Sequence, residues 1–551
     1  MRKHTFTPLI IAASISTGIL IGVFYTTQFG GGNQMDIVTT SSNKLNSLMR
    51  IVESQYVDTV NIPDIIEAAI PTVLAELDPH SAYIPAKDVQ EVNDDLRGSF
   101  SGIGIQFTIQ DDTIHVNNVI PGGPSEKVGL MAGDRIVTID DSLFVGKIIN
   151  NNLAMKKLKG PKGTEVKLGI KRQGEQSLLD FVIERGEIPV KSVDASYIID
   201  KKYGYIKIEK FAETTFPEML IALAQLRAND IEGLIIDLRS NTGGYMAPAI
   251  QMVNEFLGKD QLIVYTEGRQ SPRQNFFSNG TGSSQDLPLI VLVDEGSASA
   301  SEIFSGAIQD NDRGIIVGRR TFGKGLVQQQ MDFNDGSALR LTIARYYTPS
   351  GRCIQKPYTK GDDEAYEMDL FTRYEHGEFF NSDSIHQDQS QVFQTALGRS
   401  VYGGGGIMPD VFVPSDTTGY SVYYNKAVSM GLVNRFCFHY CDQNRKNLEK
   451  LPDTELLTAY LGKQNIVEQF VKYAETKGLQ RRNLQIAKSR QKLEQALYAT
   501  IVYDMQNMES YVKYLNQSDP TVQKAIQILN DGQSWPQAPK SSNEPAEKPA
   551  S

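Results

Sequence analysis

Three short apolar runs constrain this chain more than anything else in it: Leu234-Ile-Ile-Asp-Leu238, Leu287-Pro-Leu-Ile-Val-Leu-Val293 and Gly314-Ile-Ile-Val-Gly318. Each has strand length and no continuous polar face, as expected of central strands covered on both sides. Helical stretches alternate with them, Thr215 to Ala228 being an amphipathic example. Such alternation predicts a largely parallel α/β sheet. Tyr203-Gly-Tyr-Ile-Lys-Ile208 reads as a further strand. Ala338 to Tyr347 alternates apolar and polar, as a more exposed strand does.

This core accounts for only part of 551 residues, a length that at roughly 150 residues per domain suggests about three or four units. Arg2, Lys3 and His4 precede an apolar run from Pro8 to Tyr25, and no charge follows Lys3 until Asp36. Residues 1–35 therefore read as an uncleaved signal anchor and linker, with a cleaved signal peptide as the alternative. The basic flank stays cytoplasmic, which places the chain after Asp36 across the membrane. Residues 36–97 are helical, with Leu45, Leu48, Ile51 and Val52 at helical spacing, and a second helix opens at Ile62 and ends at the turn Leu77-Asp-Pro-His-Ser81.

Residues 98–186 are glycine-punctuated and β-rich, with two short helices. The α/β core takes 187–357 and 405–415, interrupted by a polar, acidic and aromatic insertion at 358–404. Residues 416–531 are helical, and 532–551 form a Pro-, Ser-, Lys- and Glu-rich tail expected to be disordered. The formal net charge of −10 argues against nucleic-acid binding. The three cysteines, Cys353, Cys437 and Cys441, form neither a disulfide framework nor a metal-type CxxC pair, and no metal or cofactor is expected. Cys437 and Cys441 share a helix face, as packed thiols or, with strain, a disulfide.

The chemistry gathers where the apolar runs end. Val293-Asp-Glu-Gly-Ser-Ala-Ser-Ala-Ser-Glu-Ile303 leaves a buried strand and enters a helix. A hydroxyl there sits beside free helix N–H groups and the positive end of the helix dipole. Ser299 with Glu302 fits a capping box equally well. Thr321-Phe-Gly-Lys-Gly-Leu-Val-Gln328 follows the next run. A lysine in an apolar setting loses its proton more readily, and neutral Lys324 could then take the proton of a serine. Leu326 and Gln328 are expected to share the Lys324 face at strand period. Asp237-Leu-Arg-Ser-Asn-Thr-Gly-Gly244 leaves the first run, and its glycine amides suit an oxyanion hole. A Ser–His–Asp triad is the rival, but none of the six histidines falls in these three segments.

Together these segments resemble the bacterial carboxyl-terminal processing proteases, a Ser/Lys family related to the tail-specific and tricorn proteases. The resemblance runs from about Leu45 to Pro414. It includes Leu77-Asp-Pro-His-Ser81, Gly102-Ile-Gly-Ile105, Asp237-Leu-Arg, Gly296-Ser-Ala-Ser-Ala-Ser-Glu302, Thr321-Phe-Gly-Lys-Gly325 and Pro349-Ser-Gly-Arg352. It implies a multidomain α/β protein: a crotonase-like Ser/Lys protease core, a PDZ-like β domain and helical N- and C-terminal regions. By the same resemblance Ser299 is the nucleophile, Lys324 the general base and Gln328 the residue orienting that base. Gly243 or Gly244 and the amide of Ala300 form the oxyanion hole, and Asp310 is a supporting residue. Thr242 stands where the family usually has proline.

The β-rich unit resembles a PDZ domain, which adds a peptide as an extra strand and holds its carboxylate on backbone amides. Gly102, Ile103, Gly104 and Ile105 match that carboxylate loop, and Lys159 matches a basic position linking the two domains. The expected enzyme is a serine endopeptidase that processes or degrades proteins from their C-terminal region. Its expected partners are proteins or peptides with free C-termini, its expected place the periplasmic side of a bacterial inner membrane as a single-pass protein. Helical arms on both sides of the core suit a homo-oligomer. The rival readings are a non-catalytic membrane-tethered PDZ scaffold and an enzyme akin to acyl-CoA hydratases.

Overall fold

The computed structural model describes residues 41–147, 149–533 and 535–538. The expected signal anchor and most of the expected tail lie outside them. Among the described residues no helix is long and apolar enough to cross a membrane.

The described residues divide into two compact units between Val73 and Leu74. The first contains helix α1 (Ser41–Gln55) and most of α2 (Ile62–Ala75). Leu45, Leu48 and Ile51, the expected apolar stripe of α1, are exposed.

The second unit begins with β1 (Ala82–Ile84) and α3 (Ala86–Arg97). A β domain follows, with β2 (Ser99–Gly102), β3 (Ile105–Gln110), β4 (Thr113–Val119), α4 (Pro124–Lys127), β5 (Arg135–Ile139), β6 (Ser142–Leu143), α5 (Asn151–Leu158), β7 (Glu165–Lys171), β8 (Leu179–Glu184) and β9 (Gly186–Pro189). Its main sheet runs β3-β4-β5-β7-β8, with β6 on β5, while β2 pairs with β9. Asp111-Asp112 and Asp140-Asp141 close two-residue hairpins with φ of 45°, 59°, 49° and 60°. Type I′ turns require positive φ at both positions, a conformation that aspartate tolerates better than most residues. Ile114, Val116, Ile136, Leu168 and Ile170 fill the domain's own core.

The α/β core contains β10 (Val193–Ile199), β11 (Tyr203–Ile208), α6 (Thr215–Arg227), β12 (Gly233–Asp237), α7 (Met246–Asn254), β13 (Leu262–Glu267), β14 (Gln274–Phe277), β15 (Leu289–Val293), α8 (Ala300–Asp310), β16 (Ile315–Gly318), β17 (Leu326–Asp332) and β18 (Ala338–Tyr347). The segment between its two parts holds α9 (Asp363–Glu367), α10 (Asp369–Glu375), β19 (Val392–Gln394) and β20 (Ser400–Tyr402), and β21 (Val411–Phe412) returns to the sheet. The central sheet runs β10-β11-β12-β15-β16-β21. It is parallel from β11 to β21, with β10 antiparallel at the edge. The three apolar runs are its adjacent strands β12, β15 and β16. A second sheet, β1-β18-β13-β14 with β17 on β18, packs beside it.

Helices α11 (Val422–Ser429), α12 (Leu432–Leu448), α13 (Thr454–Gly462), α14 (Ile466–Thr476), α15 (Asn483–Met505), α16 (Met508–Asn516) and α17 (Pro520–Asn530) complete the unit. Most share a core of their own, built on residues such as Phe436, Phe470 and Leu497. Cys437 and Cys441 are buried there as free thiols. The last helix departs from the sequence reading, which set 416–531 apart from the core. Val522, Ala525, Ile528 and Leu529 of α17 instead pack with Tyr205, Ile235, Ile290 and Leu292 on one face of the central sheet. Helices α6, α7 and α8 supply apolar residues to the cluster on the other face.

Candidate active site

In a parallel α/β sheet the loops leaving neighbouring strands emerge at one edge, and sites form there. β12, β15 and β16 are adjacent, so the segments after them meet although they are far apart in sequence. Hydrogen bonds join the first two directly. Ser297 Oγ donates to the Leu238 carbonyl at 2.8 Å, and the Asn241 carbonyl accepts the Ala298 amide at 3.0 Å and Ser301 Oγ at 2.8 Å. The third segment joins through the Phe322 amide, which donates to the Ser297 carbonyl at 3.0 Å.

Ser299 stands immediately before α8 with φ 56° and ψ −113°. A side chain at this positive φ carries strain that surrounding bonds must hold. Its amide donates to Glu302 Oε2 at 2.9 Å, the half of the capping box that Glu302 supplies. The same oxygen accepts the Lys324 amide at 2.8 Å. Glu302 Oε1 takes Thr321 Oγ1 at 2.5 Å and the Gly323 amide at 2.8 Å. One fully buried carboxylate thus ties the serine turn to the lysine loop. On the other side the Tyr346 hydroxyl reaches the carbonyls of both Ser299 and Lys324. The cap reading of Ser299 and the nucleophile reading are therefore not rivals, because the capping carboxylate is what brings Lys324 alongside.

Burial pushes the Lys324 ammonium below its ordinary range, and the Arg340 charge adds to that, while Glu302 and Asp78 oppose it. Burial drives the Glu302 carboxyl up to about 7 against the pull of its hydrogen bonds.

Gly243 and Gly244 separate in role. Gly243 donates its amide to Asn241 Oδ1 at 2.8 Å, so that N–H is occupied. A Cβ on Gly243 would lie 2.7 Å from Ser299 Cβ, which shows how closely the two turns approach. Phe211 bonds the residues either side of Gly244, the Gly243 carbonyl and the Tyr245 amide, and leaves the Gly244 amide out. Among the described residues, the amides of Gly244 and Ala300 take no part in the turn and loop bonding beside Ser299.

Lys324 precedes β17, and the pairing of β17 with β18 shifts register between Val327 and Gln328. The extra residue, Ile343, lies on β18, so β17 itself runs on without interruption through Leu326 and Gln328. Gln328 Nε2 donates to the His80 carbonyl. Asp310 ends α8, roughly 16 Å from Ser299 at about 1.5 Å per residue. It pairs with buried Arg352 at 2.7 Å and accepts Ser350 Oγ at 2.7 Å, contacts away from the serine.

The pattern of peptidase family S41 matches residues 202–365, and that of a PDZ domain residues 101–183. Residues 423–507 match a family of unknown function, DUF8443. The carboxy-terminal-processing protease of Bartonella bacilliformis is 38% identical over 316 residues, spanning 57% of this chain and 72% of that protein. The chain belongs to peptidase family S41. Carboxy-terminal processing protease CtpB of Bacillus subtilis is 36% identical over 317 residues, 57% of this chain and 65% of its own. A solved structure titled photosystem II D1 C-terminal processing protease aligns at 24% identity over 68% of this chain and 94% of its own, with a TM-score of 0.34. The assignment rests on the sequence relatives. Nothing in these matches supports the non-catalytic scaffold.

The PDZ domain of this S41 peptidase carries a groove of about 340 Å³ lined by Gly102, Ile103, Gly104, Ile105, Leu158 and Lys159, among others. The Ile103 carbonyl accepts the Ser125 amide at 3.0 Å and Ser125 Oγ at 2.6 Å, and the Gly104 carbonyl accepts the Ile120 amide at 3.0 Å. Both carbonyls are thereby turned into the domain. Lys159 Nζ lies 4.6 Å over the Phe100 ring at the groove wall.

Four residues in this S41 site were not singled out by sequence: Glu302 as a clamp, Asn241, Tyr346 and His80. Asn241 and His80 lie inside segments already quoted for the family resemblance. Tyr346 carried no signal beyond the alternation of its strand.

Proposed function

We propose that this chain is a serine endopeptidase that cuts proteins near their C-termini, with Ser299 as nucleophile and Lys324 as general base. The observation that carries the reading is the double bridge between them, Glu302 on their amides and the Tyr346 hydroxyl on their carbonyls. Neutral Lys324 Nζ removes the proton from Ser299 Oγ as that oxygen attacks the scissile carbonyl carbon. The carbonyl oxygen, now negative, receives the amides of Gly244 and Ala300. Protonated Lys324 then gives its proton to the leaving amine, and water releases the acyl group by the same route. Gln328 donates Nε2 to the His80 carbonyl, which fixes its flip and leaves Oε1 to orient the lysine.

The PDZ groove holds the substrate's terminal carboxylate on the Gly102–Ile105 loop. The apolar run after Lys3 supports membrane attachment with the peptidase on the periplasmic side, which protease accessibility in spheroplasts tests directly. Helical arms support self-association, read by light scattering of the purified chain.

The central test uses an unstructured protein with a free or an amidated C-terminus. Ser299→Ala is expected to abolish cleavage, and amidation to slow it. Cleavage surviving in Ser299→Ala removes the nucleophile assignment. Equal rates on the two substrates remove the carboxylate role of the PDZ loop.

A further inference from the structure

We propose that Tyr366, in the segment between the two parts of the α/β core, is a positioning residue for the base, joining through its hydroxyl the two supports that flank Lys324. The proposal rests on Lys324 being that base. Tyr366 stands one residue beyond the span matched by the S41 pattern, which ends at 365.

The first support lies on the residue after the lysine. The Gly325 amide donates to Gln355 Oε1 at 2.8 Å, and Gln355 Nε2 reaches the Tyr366 hydroxyl at 3.3 Å and the Lys356 carbonyl at 2.9 Å. The second support is His80, whose carbonyl holds Gln328 Nε2 and whose Nε2 lies 2.9 Å from the Tyr366 hydroxyl. Directions follow from the donor inventory. The Gln355 amide nitrogen only donates, so the tyrosine oxygen accepts there and keeps its single proton free, which the proposal assigns to His80 Nε2. The imidazole is then neutral with its proton on Nδ1.

The rest of the His80 turn is fixed independently. Asp78 Oδ1 accepts the His80 amide at 2.9 Å, the Ser81 amide at 3.0 Å and Thr342 Oγ1 at 3.0 Å. The tyrosine is itself held, with Lys356 Nζ 4.0 Å over its ring and 3.1 Å from its carbonyl. Burial, then the charge of Lys324, lowers His80 to about 4, which agrees with a neutral ring close to the base. One hydroxyl therefore anchors the side chain of the residue whose carbonyl holds Gln328 and steadies the glutamine that grips Gly325. Loss of either lets Lys324 wander from Ser299.

The test is Tyr366→Phe in the full chain, assayed on an unstructured protein with a free C-terminus. Expected is a fall in kcat of about tenfold with KM unchanged. In a Gln328→Ala background the same substitution is expected to cost much less, because the route through the amide is already broken. His80→Leu, which keeps the carbonyl but cannot receive the hydroxyl, is the second variant and should lose about as much. Unchanged kcat in both variants overturns the proposal, as does a loss that stays undiminished without Gln328 or that falls on KM alone. Lys324→Ala separates the two levels. If it is inactive while Tyr366→Phe is normal, only the positioning role fails. If it retains turnover, the base assignment fails with it.

Discussion

Ser299 occupies a backbone region that glycine enters freely and serine does not, at a cost on the order of 1–3 kcal/mol. Its amide is taken by Glu302, and its carbonyl by the amides of Glu302 and Ile303 and by Tyr346. Ser299→Gly should therefore abolish cleavage yet raise the thermal midpoint above that of Ser299→Ala, measured by calorimetry. Glu302 meets three amide donors and the Thr321 hydroxyl, which can turn to accept when the carboxyl is protonated. Glu302→Gln turns an NH₂ toward two of them, which should cost at least tenfold in turnover and lower stability, read by kinetics and thermal melts together. Because its folded pKa of about 7 exceeds its ordinary value, the stability linked to this carboxyl is full below about 4.5. It is lost as pH rises through about 7. Lys324 runs the other way: its pKa is lowered, so its contribution is full above the ordinary lysine value and is lost as pH falls through the folded one. Activity should accordingly rise with pH. Arg340→Met removes a charge that depresses Lys324, so the rise should move to higher pH. A profile flat from about pH 5 to 9 would sink the lysine.

The loops after β12, β15 and β16 make the site, and most of that was legible. Apolar runs gave the buried strands, and the small residues ending them marked where backbone approaches backbone. The split between Gly243 and Gly244 was not legible, because it depends on Asn241 turning its side chain onto Gly243. Nor was the irregular step at Val327–Gln328, since a register shift leaves the residue pattern intact. Strand β13 carries a plain apolar run, Leu262-Ile-Val-Tyr265, that the sequence reading passed over, while β14 is only four residues long and opens on Gln274-Asn275. Buried Asn241 also donates Nδ2 to the Ile208 carbonyl at 2.9 Å, fixing the loop after β12 to β11. Asn241→Ala should lower kcat by about 10–100-fold with little change in KM, by comparison with losing one oxyanion donor outright.

Across the molecule, the PDZ domain is tied to the C-terminal helices on the side of β4 and β5. Arg135 pairs with Asp442 at 2.7 Å, the His115 and Phe438 rings meet edge-on at 4.8 Å, and Tyr503 reaches Gln106 at 3.3 Å. Sequence placed a helical region here but gave it no partner, because the partner lies some 300 residues earlier in the chain, as the 307-residue separation of Arg135 and Asp442 shows. Asp442→Ala should leave the core's unfolding unchanged and speed hydrogen exchange in β4 and β5.

The last helix, α17, reaches back to the site in another way. Its N-cap, Asp519, holds Arg239 of the segment after β12 at 2.8 Å and 2.9 Å. A ribosome delivers Ser299 roughly 200 residues before Asp519, on the order of ten seconds or more at ordinary synthesis rates. Throughout that interval one face of the sheet is bare and Arg239 has no partner on α17. A growing chain therefore carries Ser299 well before α17 can hold the segment around Arg239.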